Sequence, residues 1–166
     1  MENRLRQELE TISRIILLAN SSFEVVKYLY IDTEKDNGIV RYEKNFNHFF
    51  RFAIVNFYRI TIIELCKLLN SGERYSLAQL LSGFSKNQFS QSVDPVTIRK
   101  LKKLLNQNKN LIFELTQVRN KHYAHQDEDF KNYIDFKLDD VNVLLILCKE
   151  IFNGINGEVF NQYFSF

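Results

Sequence analysis

FFRFAIVNFYRITIIELCKLL, residues 49–69, is the stretch on which the fold turns. Its apolar content suggests a membrane span. However, Arg51, Asn56, Arg59, Glu64 and Lys67 interrupt it, and that many polar groups do not sit in hydrocarbon. A helix apolar around most of its circumference belongs instead at the centre of a helical bundle, buried on most sides.

Working outward, a first helix is expected from about Glu2 to Tyr30, because Leu5, Leu9, Ile12, Ile16, Ala19 and Phe23 follow a three-four spacing. DTEKDNG, 32–38, reads as a loop. The central helix starts near Tyr42 and stops at NSG, 70–72, where Gly72 offers the left-handed conformation of a helix end. Ser76 is placed to cap a short helix, SLAQLLSGF. SKNQFSQSV, 85–93, is polar and turn-rich. Asp94 as cap and Pro95 at the first helical position make the clearest start signal in the chain. The stripe Ile98, Leu101, Leu105, Ile112, Leu115 and Val118 then suggests one helix to about Lys121, roughly 42 Å long. HQDEDFKNYIDF breaks the pattern. A last helix, LDDVNVLLILCKEIF, is expected from near Asp139 to Gly154, with the tail GEVFNQYFSF docking by its aromatic residues. The sum is an all-α, antiparallel helical bundle of four to five long helices plus a short helix, in one domain spanning 1–166.

Composition agrees. The chain has 45% hydrophobic and 25% charged residues, one Pro and five Gly, which suits a globular helical protein and not a disordered one. The net charge of +2 does not by itself call for nucleic acid, and no DNA partner is expected. From Lys86 to Lys121 basic residues outnumber acidic ones, so a basic stripe that includes Lys102 and Lys103 is possible, although RKLKK is more often a solvated face. Cys66 and Cys148 lie in apolar helical patterns and form no disulfide framework, which fits a reducing cytoplasm. MENRLRQELE is too charged for a signal peptide, and no membrane partner is expected.

RNKHYAH, 119–125, carries the chemistry. It holds two of the three histidines of the chain. One explanation is purely structural: cations in the last turn of a helix offset its macrodipole. The other is a site acting on phosphate. Arg119, Asn120 and His125 resemble the signature of the HEPN superfamily, an arginine and a polar residue followed after a short gap by a histidine. NFYRITIIELCKLL, SLAQLL and RNKHYAHQD together resemble the HEPN-like family linked to bacterial abortive infection, the U-type Abi proteins, over roughly residues 45–150.

That resemblance implies metal-independent RNA cleavage by a homodimer that pairs two motifs, with no cofactor. His125 would exchange protons, Arg119 would grip phosphoryl oxygens, and Asn120 would bond phosphate or orient Arg119. Lys121, His122, Tyr123, Lys102 and Lys103 would contact RNA. An antitoxin protein is a possible further partner. The alternative is a non-catalytic HEPN-like module that binds RNA, a nucleotide or a protein. An intact Arg119/Asn120/His125 set favours the enzyme, since a pure binder has no need of a histidine at that spacing. A metal at His122 and His125 with Asp127 and Asp129 is a weaker reading, because ligands are too few. His48 reads as a bundle histidine with a satisfied hydrogen bond. Glu64 and Arg59 could form an interhelical ion pair or a contact behind the motif.

Overall fold

The three-four stripe of the first segment forms the inner face of α1 (Glu2–Lys35). Leu5, Leu9, Ile12, Ile16, Ala19 and Phe23 are each at most 2% exposed. The computed structural model of the protein describes residues 2–35, 39–124 and 136–166, and the side chains of 4–29, 48–120 and 136–166. α2 (Ile39–Leu69) returns along α1. The Thr61 hydroxyl ties the pair, donating to the Phe57 carbonyl at 2.9 Å and reaching the Ala19 carbonyl at 3.4 Å. The helical hairpin is longer than its sequence suggested. Residues 32–35 of the expected loop belong to α1, and α2 begins at Ile39; residues 36–38 of that loop lie outside the described residues.

The second half of α2 is the centre of the molecule. Tyr58, Thr61, Ile62, Leu65, Cys66, Leu68 and Leu69 are buried, and the helix touches α1, α3, α5 and α6. Its earlier turns differ. His48, Phe49 and Phe52 are exposed, so His48 is a surface residue and not a bundle histidine. The reason is packing geometry: α5 meets α2 at Cys66 and beyond, leaving the earlier turns uncovered by it among the described residues. Glu64 is 7% exposed and pairs with Lys67 of its own helix at 2.6 Å. A one-turn partner thus satisfies a carboxylate that would be costly to bury alone.

α2 ends by a different device from the one expected. No described glycine has a positive φ. Asn70 makes the stop: its carbonyl accepts from Glu73 N at 3.0 Å and its side-chain oxygen accepts from Gly72 N at 3.1 Å. An asparagine side chain that mimics a backbone turn makes the left-handed glycine unnecessary. Ser76 caps α3 (Leu77–Ser85) as expected, accepting from Gln79 N. The 85–93 loop is pinned by Phe89, whose ring lies 4.6 Å from that of Phe84. A Cβ on Gly83 would meet Phe89 at 2.6 Å, so the glycine makes room for the ring.

Asp94 and Pro95 start α4 (Pro95–Gln107), with Asp94 accepting from Val96 N at 2.9 Å. The single long helix expected here is two. α4 ends at Asn108, and α5 (Lys109–Ala124) begins immediately. Asn108 donates its side-chain amide to the Leu104 carbonyl at 2.9 Å, and its backbone N–H goes to Leu105 instead of continuing the helical ladder. The stretch NQNKN, 106–110, supplies no apolar residue to hold a straight continuation, and asparagine competes for the backbone in this way. α4 packs on α3 and α6, and α5 on α2.

α6 (Leu138–Phe160) passes through Gly154 and stops at Asn161, whose φ is 52°. Gly154 is not a terminator. A Cβ there would sit 3.2 Å from Leu101, so this glycine lets α4 and α6 approach closely. The tail docks as expected. Asn153 holds the Phe164 backbone by two 3.0 Å hydrogen bonds, and Phe164 and Phe166 each lie 5.6 Å from the Phe152 ring. Six helices and no strand make up the described residues, an all-α bundle. No helix among the described residues is long and apolar enough to cross a membrane.

Both cysteines are free and buried. Burial pushes the Cys66 thiol up to about 12, against a smaller opposing pull from Arg119. It raises Cys148 and the Tyr58 phenol as well. These groups hold their protons in the folded state and release them more readily when unfolded. Their contribution is therefore complete below the unfolded thiol range, about 8.5, and is lost as the pH climbs from there toward 12. The melting temperature should fall between pH 8 and pH 10.5, and Cys66→Ala should flatten that slope. A flat profile in the unsubstituted protein would show that these groups ionise freely in the folded state.

Candidate functional site

Arg119 lies in α5, five residues before the helix ends at Ala124. α5 therefore runs one turn further than the sequence suggested, and Arg119 is not in its last turn. Its position is fixed by the way α5 lies along α2. The Cys66 thiol points at the Leu115 carbonyl, 3.8 Å away, and one turn later Arg119 Nη1 meets Glu73 Oε1 at 3.0 Å. Arg119 Nε lies 3.4 Å from Asn120 Oδ1, a long hydrogen bond. The Arg119 side chain is 27% exposed, and that of Glu73 is 40% exposed. A guanidinium has five N–H donors. Among the described residues these contacts use two of them.

Asn120 is exposed beside Arg119. Lys121, His122 and Tyr123 continue α5, with side chains outside the described set. His125, and the metal alternative that combined it with His122, Asp127 and Asp129, lie outside the described residues. His125 follows the last residue of α5 directly in sequence. The chain is taken up again at Phe136, which is 3% exposed and whose carbonyl accepts from the Tyr58 hydroxyl at 2.6 Å.

Lys102 and Lys103 are exposed on α4. The break at Asn108 separates them from the helix that carries Arg119. Lys102 Nζ reaches Ser85 Oγ at 2.7 Å, at the C-terminal end of α3. Glu73, the partner of Arg119, precedes the N-terminal end of the same helix. The two basic groups therefore lie about one α3 length apart, roughly 13 Å at 1.5 Å per residue.

Sequence spacing did not point to Glu73. It lies in the turn after α2 and pairs with a residue 46 positions away. The only signal was an isolated acidic residue in a turn. Replacing it tests its role as a positioning residue. The pair is partly exposed, so Glu73→Ala should cost at most about 1 kcal/mol of stability. If Glu73 aims the guanidinium, any catalytic rate that depends on Arg119 should fall about tenfold with little change in KM. An unaltered kcat would mean that Arg119 needs no such support.

A model of the family described as AbiU2, a HEPN family, matches residues 1–166, and the chain belongs to that family. No curated protein and no solved structure matches it.

Proposed function

We propose that the protein is a metal-independent endoribonuclease of the toxin or phage-defence type, working as a homodimer. The observation that carries this reading is Arg119, charged, accessible and oriented by Glu73 and Asn120, in a HEPN-family chain whose sequence places His125 six residues later.

RNA brings its own nucleophile, the 2′-OH beside the scissile phosphate. One His125 takes that proton as the oxygen attacks phosphorus, and a second gives a proton to the departing 5′-oxygen as the P–O5′ bond breaks. Arg119 stabilises the charge that builds on the phosphorane. The products are a 2′,3′-cyclic phosphate and a 5′-OH. One chain has one motif histidine, so the two proton roles require two chains, with both motifs meeting near a twofold axis. Asn120 orients Arg119, while Lys121, His122 and Tyr123 flank the RNA. No metal or cofactor enters the scheme. The buried free thiols suit the cytoplasm as its place of action, and a protein antitoxin would be a further partner.

A labelled RNA pool tests this reading. Pure protein should cleave it equally well with and without EDTA, leaving cyclic phosphate ends, and should sediment as a dimer. Activity lost to EDTA and restored by a divalent ion would put a metal mechanism first, and a monomer that cleaves would remove the paired site. One observation favours a rival, a HEPN-like module that binds RNA, a nucleotide or a protein without turnover: Glu73 already neutralises Arg119. Tight RNA binding by a folded sample that produces no cleavage would establish that rival.

A further inference from the structure

A cavity of about 430 Å³ lies between the N-terminal half of α1 and the α2–α3 turn. Arg4 and Arg14 line it from α1, and Arg74 lines it from the turn. All three are exposed, so their guanidiniums are not core supports. Among the described residues none of the three donates a hydrogen bond or closes an ion pair at salt-bridge distance. Arg74 is held in place by Tyr75, with its guanidinium carbon 5.2 Å from the ring centroid.

Two carboxylates share this wall. Glu10 is 3.5 Å from Arg6. Glu8 is different, because its Oε2 is buried and has no hydrogen-bond partner among the described residues. Burial raises its pKa, while Arg4 and Arg74 pull the other way, which places those guanidiniums close to it. An unpaired buried acceptor is costly, and a ligand bearing a donor would satisfy it.

The two demands select a ligand. Uncommitted guanidiniums suit the oxygens of a phosphate. A carboxylate oxygen suits a hydroxyl or amino donor. Inorganic phosphate answers the first demand and is repelled by Glu8. We infer that this cavity binds a ribonucleoside phosphate, with Arg4, Arg14 and Arg74 on the phosphate and Glu8 accepting from a ribose hydroxyl or a base amino group. Two sources share this chemistry, a free nucleotide and a unit of an RNA strand. Arg74 follows Glu73, the partner of Arg119, in the chain, so a strand seated here lies next to the motif. The inference rests on the ribonuclease reading only for the choice of a strand as the source.

Binding by the full chain carrying His125→Ala, which the cleavage scheme makes inert, tests it. The probes are a mixture of nucleoside 5′-monophosphates, a labelled single-stranded RNA ten-mer and inorganic phosphate. Arg14→Ala and Arg74→Ala should each weaken nucleotide binding about tenfold, the scale of one charge-assisted contact. Glu8→Gln should reduce the preference for nucleotide over inorganic phosphate. If a strand is the source, the ten-mer should bind more tightly than the nucleotides, and each arginine variant should lower the salt slope by about 1. Nucleotide binding without RNA binding would assign the site to a free nucleotide. Affinities indifferent to Arg14→Ala and Arg74→Ala, or no binding of either probe, would overturn the inference. That result would leave the cleavage mechanism to its own test at His125.

Discussion

If the protein is the ribonuclease proposed above, His125→Ala should remove RNA cleavage while the protein keeps its melting temperature. Loss of one general acid or base costs about 10²–10⁴-fold in rate, and a homodimer loses both copies at once, so the effect falls at the upper end. Arg119→Ala lowers the rate by a comparable factor through lost stabilisation of the phosphorane, and weakens RNA binding as well. Arg119→Lys recovers part of it at most. An ammonium cannot make the bidentate contact of a guanidinium, nor span Glu73 and Asn120 as Arg119 does. If the motif only complemented a helix end, each change would cost up to about 1 kcal/mol of stability and spare any activity. The measurement is a time course on labelled RNA for the three variants, with thermal melts of the same samples. Undiminished cleavage by His125→Ala would sink the ribonuclease reading.

Phe152→Ala produces the largest loss of stability. Phe152 is 1% exposed in α6 and carries both Phe164 and Phe166 of the tail on its ring. Truncating a buried phenylalanine costs about 3–5 kcal/mol, from lost transfer energy and the cavity left behind. A domain of this size is stable by only about 5–15 kcal/mol in all. The melting temperature should drop by about 6–20 °C, at 2–4 °C per kcal/mol. Phe164→Ala should cost much less, because this side chain is 44% exposed and gives up far less buried surface than Phe152. Equal losses for the two would place the tail, and not the core beneath it, in control of stability.

Much of this fold is written in local pattern. The α1 stripe from Leu5 to Phe23, the cap at Ser76 and the Asp94-Pro95 start are each decided by residues within a few positions of one another, and spacing exposes such features directly. The motif was equally legible, because Arg119, Asn120 and His125 sit within one short stretch and carry a family's signature. Where two local signals competed, the sequence was ambiguous. Gly72 and Gly154 both looked like helix ends, yet Asn70 makes the first stop and Gly154 exists to admit Leu101. An apolar stripe also ran past Asn108, where the backbone breaks.

The sequence by itself determined that the chain is a helical bundle, because its apolar residues recur at helical spacing and polar groups interrupt its most apolar helix. It also holds Arg119, Asn120 and His125 in the short stretch that resembles the HEPN signature. Only the tertiary structure decided what surrounds them. Glu73 reaches Arg119 because α5 lies along α2. Lys102 reaches Ser85 at the C-terminal end of α3 because α4 packs on α3. Arg4, Arg14 and Arg74 share one cavity because the α1–α2 hairpin returns the α2–α3 turn to the start of α1. The physical reason is common to all three. Helical spacing is set by neighbours three and four residues away, whereas these juxtapositions join residues tens of positions apart, and only the packing of helix on helix selects them.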